Sequence, residues 1–230
     1  ARPVFVPLVP QADGAGAWAL DEGRLRAAMA RRPKALVLNT PHNPTGKVFT
    51  RRELDLIAAL VQEYDVPWVF TDEIYEHILY AGHHHAMATW PGMRERTVTV
   101  SGLSKTFSCT GWRLGYAVAP LHATKAIRKV HDFLTVGAPA PLQAAGAVGL
   151  AFDADYYNHM AQEYRARREL LCGALGEAGF TFAPPEGAYY VVAGYAAHSA
   201  DEDRAFAEWL TREIGVATVP MSSFLPPGER

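Results

Sequence analysis

The sequence predicts an α/β protein: a mostly parallel central sheet with helices on both faces, followed by part of a smaller α/β domain. Three observations carry this expectation. Two short apolar runs, residues 35–38 and 66–70, bracket a helix-patterned stretch at 50–61, and strand, helix, strand at this spacing is a parallel crossover unit. Each run ends in a polar loop, N-T-P-H-N-P-T-G-K at 39–47 and T-D-E-I-Y at 71–75, and in a parallel sheet such loops gather at the carboxyl edge. Beyond about residue 153 the pattern changes to a long charged helix followed by short mixed elements, so the expected division is 1–152 and 153–230.

Taken in order, residues 4–9 alternate like a strand, but prolines at 3, 7 and 10 confine them to an edge or an extended connection. Asp13-Gly14-Ala15-Gly16 reads as a turn, and Asp21 is placed to cap a helix reaching Ala30. Thr50 followed by Glu53 is a capping box, with Leu54, Ile57, Ala58 and Val61 as the apolar stripe. Gly82-His83-His84-His85 reads as a solvated loop, because adjacent residues in a loop seldom all reach one metal ion. Strands are expected at 97–101 and 114–119. Helices are expected at 123–135 with a basic, solvent-facing side, at 142–152, and at 156–179 with Gly179 as the terminating glycine. Residues 189–192 and 216–219 read as strands and 204–214 as a helix.

Composition limits the function classes. Hydrophobic residues at 49%, charged residues at 20% and a net charge of −2 fit a globular protein. No basic block offers itself to nucleic acid or an anionic membrane, and no apolar run approaches the ~20 residues of a membrane-spanning helix. Two cysteines, Cys109 and Cys172, form no disulfide framework, so a cytoplasmic setting is expected.

The chemistry concentrates at strand ends. Lys105 lies in S-G-L-S-K-T-F-S-C-T-G-W-R between two strand-like runs, with Arg113 eight residues on. A desolvated lysine loses its proton more readily and attacks carbonyls, although a solvated surface lysine fits this stretch equally well when it is read alone. Asp72 closes the run V-P-W-V-F-T, near the core, where a lone carboxylate calls for a positive partner. Asn43 follows the first strand. Pyridoxal phosphate would use all of these: lysine for its aldehyde, a carboxylate for its ring nitrogen, polar side chains for its phenolic oxygen, arginine and hydroxyls for its phosphate. A metal reading of Asp72 is weaker, since Glu73 is the one nearby helper and points to the opposite side of the strand.

N-T-P-H-N-P-T-G (39–46), T-D-E-I-Y (71–75) and S-K-T-F-S-C-T-G-W-R-L-G-Y (104–116) resemble, in order and spacing, the marks of class I/II aminotransferases, the fold type I pyridoxal-phosphate enzymes. Weaker similarities at 138–143, 184–190 and 219–224 extend the resemblance over most of the chain. It implies that Lys105 forms the aldimine with pyridoxal 5′-phosphate and shuttles the Cα proton. Asp72 would pair with the ring nitrogen, Asn43 and Tyr75 would bind the phenolic oxygen, and Arg113 would bind the phosphate. Many relatives carry a hydroxyl three residues before the lysine; here that position is Gly102, leaving Ser101 or Ser104 for the phosphate. The resemblance further implies a homodimer, with 135–141 near the partner's site, and amino acid and 2-oxo acid substrates. Relatives of this kind are longer, so the chain is expected to lack N- and C-terminal segments and, by itself, to bind the cofactor poorly and not to transaminate. A carbon–sulfur β-lyase or the effector domain of a regulator are the alternative uses of this scaffold.

Overall fold

The protein is described here by a computed structural model covering residues 2–10 and 17–225. The expected turn at 13–16 lies outside the described residues.

Four strands form the central sheet in the order β3 (Ala35–Asn39), β4 (Trp68–Asp72), β5 (Thr97–Gly102), β6 (Gly115–Val118), after a small antiparallel ribbon of β1 (Leu8–Pro10) and β2 (Trp18–Leu20). β3, β4 and β5 run parallel, so their carboxyl ends share one edge; β6 returns antiparallel to β5. Among the described residues the expected strand at 4–9 narrows to Leu8–Pro10, as its prolines required.

One sheet face is packed. Helix α1 (Glu22–Met29) starts at Asp21, whose side chain accepts from the Arg24 amide, and α2 (Arg51–Glu63) starts with the full Thr50–Glu53 capping box. Leu25 and Met29 of α1 and Leu54, Ile57, Ala58 and Val61 of α2 meet Leu38 and Val69 of the sheet in one buried cluster that Met87 and Met93 complete. Strand alternation sends the other set of side chains to the opposite face. There Val37, Phe70 and Val100 are 75%, 37% and 41% exposed, and His122 of helix α4 (Leu121–Leu134) reaches Trp68 at the margin, 5.2 Å between rings.

Helix α5 (Ala140–Leu150) lies so close to the turn after β5 that a Cβ on Gly146 would stand 2.6 Å from Leu103. Helix α6 (Ala154–Glu177) ends two residues before Gly179, which takes the left-handed conformation (φ 84°) that glycine adopts freely. The expected strands at 189–192 and 216–219 do not form. Residues 185–190 instead dock on two other loops, and Val216 and Val219 remain exposed with no strand beside them. β-propensity is realised only where a neighbour supplies the ladder. The ladder that does form joins β7 (Thr181–Phe182) to β8 (Ala193–Gly194). The helix expected at 204–214 divides into α7 (Asp203–Trp209) and a π-helical turn, Leu210–Ile214, closed by Gly215 at φ 81°. No helix among the described residues is long and apolar enough to cross a membrane.

Candidate active site

Three loops leave the shared carboxyl edge of β3, β4 and β5, and each carries residues singled out from the sequence. In the first, Thr40-Pro41 and Asn43-Pro44 are cis, and the Asn43 amide N–H donates to Asn39 Oδ1 at 2.6 Å. Asn39 Nδ2 in turn donates to the Asp72 carbonyl, which ties this loop to the end of β4. Lys47 is buried and ion-paired to Glu53 Oε1 at 2.9 Å, clamping the far end of the loop to α2.

The second loop carries Asp72 and Tyr75. Asp72 is not near the core as expected: it shares the open sheet face with Phe70 and Val37, is exposed, and accepts from the Ile74 amide through Oδ1. The alternation that buries Val69 and Thr71 against α2 turns Asp72 outward. Tyr75 is buried. Burial, and then its hydrogen bond with Tyr190, push its hydroxyl well above the ordinary tyrosine range.

The third loop is a single helical turn, α3 (Leu103–Thr106), that presents Lys105. Gly102, at the position where a hydroxyl is common, has a local reason: a Cβ there would stand 3.1 Å from Gly115 Cα and from Leu114 O across the β5–β6 pair. Arg113 follows in the left-handed region (φ 52°), exposed, with Nη1 donating to the Thr110 carbonyl. The two candidate serines separate. The buried Ser101 hydroxyl donates to Glu76 Oε1 at 2.8 Å. Ser104 lines a cavity of about 430 Å³ together with Lys105, Ser108, Thr110 and Tyr189.

Two residues given no role from the sequence join these loops. Tyr75 and Tyr190 hydroxyls are 2.7 Å apart, and Asn43 Nδ2 donates to the same Tyr190 oxygen at 3.4 Å. Tyr189 packs edge-on against Tyr75 and lies beside Lys105, whose Nζ is 5.7 Å from the Tyr189 ring centroid. The neighbouring Tyr189 hydroxyl raises the Lys105 pKa above its ordinary value, ahead of the opposing effect of burial. Burial alone would push Tyr189 up, but hydrogen bonds from Lys105, Tyr190 and Tyr75 outweigh it and bring Tyr189 below its ordinary value. The one available signal for this pair was the motif E-G-A-Y-Y, which sequence spacing cannot connect to loops more than 80 residues away.

The tyrosines are delivered by close backbone packing. Glu186 and Gly187 amides both donate to the Gly46 carbonyl, Ala188 N donates to Ile78 O, and Glu186 Oε2 accepts from Val48 N. A Cβ on Gly187 would collide with Pro41, Val48 and the Ile78 carbonyl at 2.9–3.0 Å, so glycine is required for the approach.

The sequence matches the family model "Aminotransferase class I and II" over residues 3–229. It is 35% identical to kynurenine–oxoglutarate transaminase 3 of Mus musculus, over 97% of this chain and 54% of that protein. It is 38% identical to the probable N-succinyldiaminopimelate aminotransferase of Mycobacterium tuberculosis, over 99% of this chain and 56% of that one. The solved structure of N-succinyldiaminopimelate aminotransferase from Mycobacterium tuberculosis superposes with a TM-score of 0.93 at 36% identity, covering 98% of this chain and 58% of the other. The chain thus spans about half the length of the curated relatives it matches. A family match over nearly the whole chain, on a fold shared with solved aminotransferases, places this chain in the class I and II aminotransferases, a family of pyridoxal-phosphate-dependent enzymes.

Proposed function

We propose that the protein carrying this chain moves an amino group between an L-amino acid and a 2-oxo acid, with pyridoxal 5′-phosphate held at Lys105. The observation that supports this most is the convergence of Asn43 and Tyr75 on one phenolic oxygen, that of Tyr190, beside the Lys105–Tyr189 pair. Two side chains that already meet on a phenol can meet on the phenolic oxygen of the cofactor. The donor set fits the rest of the molecule: a primary amine, a carboxylate at the end of β4, and a guanidinium with unused N–H donors.

When bound, pyridoxal phosphate supplies an aldehyde that takes up nitrogen and a protonated ring that accepts the electron pair left at Cα. Lys105 Nζ would hold that aldehyde and, when free, would carry the Cα proton. Asp72, on the open face, would pair with the ring nitrogen. Asn43 and Tyr75 orient the phenolic oxygen. Arg113 and Ser104 take the phosphate; Ser101, whose hydroxyl is engaged by Glu76, is the weaker of the two serine candidates. The relatives named above are transaminases, which favours amino transfer over a β-lyase or a regulator.

We further propose the division into 1–152 and 153–230, a cytoplasmic setting suited to the unpaired Cys109 and Cys172, and a homodimer. The exposed apolar residues Phe133, Leu134 and Val136, beside the 135–141 stretch, favour the last. The test is to load the protein with pyridoxal phosphate and follow its visible absorbance with a panel of amino acids. Wild type is expected to gain a cofactor band that the amino donor bleaches and a 2-oxo acid restores. Release of pyruvate and ammonia instead would replace the reading with a lyase.

A further inference from the structure

One residue after Asp72 the chain turns a carboxylate inward. Glu73 is 1% exposed; its Oε2 lies 2.7 Å from His84 Nε2, while its Oε1 has no hydrogen-bond partner, and neither does His84 Nδ1. His84 therefore departs from the solvated histidine loop expected from the sequence: its side chain is 11% exposed, packed against Glu73. A second carboxylate joins them. Glu76 Oε1 accepts from Ser101 Oγ at 2.8 Å and from the Tyr116 hydroxyl at 3.2 Å, with His77 Nε2 at 4.0 Å. Ligand atoms of Glu73, Glu76 and His84 all lie within 4.8 Å of one another.

A buried carboxylate oxygen without a donor is costly, and a second carboxylate beside it adds repulsion. A bound cation would satisfy the orphan oxygen and neutralise the pair together. We propose that Glu73, Glu76 and His84 form a site for one divalent metal ion of the zinc type, behind the cofactor strand and separate from Asp72.

Two carboxylates and an imidazole are an oxygen/nitrogen donor set that zinc accepts, with water completing four-coordination. Ligands bonded at about 2.0–2.2 Å stand no more than about 4.4 Å apart, so small side-chain rotations close the set. Ser101 and Tyr116 hold Glu76 in place, as outer partners commonly hold a ligating carboxylate. The ion would fasten the 82–85 loop to β4, β5 and β6. The site gives a role to His84 of the histidine run and to the buried Ser101, which holds Glu76.

Chelator-treated protein dialysed against Zn²⁺ is expected to bind one equivalent saturably, with an X-ray absorption spectrum showing nitrogen and oxygen ligands, one imidazole among them. His84→Ala and Glu76→Gln should each weaken binding at least tenfold, while His83→Ala and His85→Ala leave it unchanged. Glu76 is partly exposed, so Glu76→Gln decides the matter if His84→Ala does not fold. The proposal is overturned by the absence of saturable binding, by sulfur ligation, or by equal loss in His83→Ala or His85→Ala.

Discussion

Lys47 and Lys105 both lie in loops at the carboxyl edge of the sheet, and their surroundings are opposite. Lys47 is 5% exposed, paired with Glu53 at 2.9 Å, 5.3 Å from the Phe49 ring, and fixed between β3 and α2. Lys105 is half-buried, sits on one turn of helix, and has Tyr189 as its main partner. The proposed function assigns the chemistry to the second. Burial marks the lysine that holds the fold, whereas the one proposed to meet a carbonyl keeps an open side. Their loops differ in the same way. Residues 40–49 are almost all covered, and residues 109–113 are largely exposed.

The contrast can be broken or sharpened by substitution. The largest effect is expected from Lys105→Ala: activity falls by several orders of magnitude and the cofactor band is lost, while the melting temperature moves little, since no buried pair is broken. Steady-state kinetics and a thermal melt on the same sample check both halves. Lys47→Met should do the reverse. Glu53 is left part-buried without its cation, at a cost of about 2–3 kcal/mol in denaturant unfolding, and Lys47→Met with Glu53→Leu should recover much of it. Equal stability loss at both lysines would erase the distinction.

A smaller effect is expected from pH. Burial, and then the nearby Lys47 charge, lower the His42 pKa to about 4. An unfolded histidine titrates near 6.5, so between pH 6.5 and 4 the unfolded state binds more protons and stability falls as pH falls. The loss should be on the order of 2 kcal/mol, and His42→Gln should flatten that part of the melting-temperature profile. Smallest is Thr50→Ala, which removes the capping box that starts α2 and should cost about 1 kcal/mol without changing kinetics.

The two ends of the chain also differ in how much surface they cover. Accessible surface totals 14334 Å² for 25.1 kDa, against roughly 10,000 Å² for a compact monomer of that mass. The surplus is visible on the open sheet face at Val37 and Phe70 and along α4 and α6, at Phe133, Leu134 and Leu170. The α1–α2 side, by contrast, holds the main apolar cluster. A covered sheet face would enclose Asp72, as its proposed role requires.

The crossover unit, both N-caps, the capping box and Gly179 were legible in the sequence, because each depends on residues within about one helical turn or on a short-range period. Asn43, Asp72, Tyr75, Lys105 and Arg113 could be named because each sits in a short contiguous motif. What they touch was not legible. Exposure of Asp72 depends on what covers a sheet face, and the choice between Ser101 and Ser104 depends on where Glu76 points from the loop after β4. The Tyr189–Tyr190 bridge and the Glu73–His84 pair join segments that folding alone brings together. By itself, then, the sequence determined the crossover unit, the caps and the candidates for the reactive groups, since propensity and capping act over a few residues. Only the tertiary structure decided which lysine is locked and which is open, because burial and hydrogen-bond partners belong to neighbours remote in the chain.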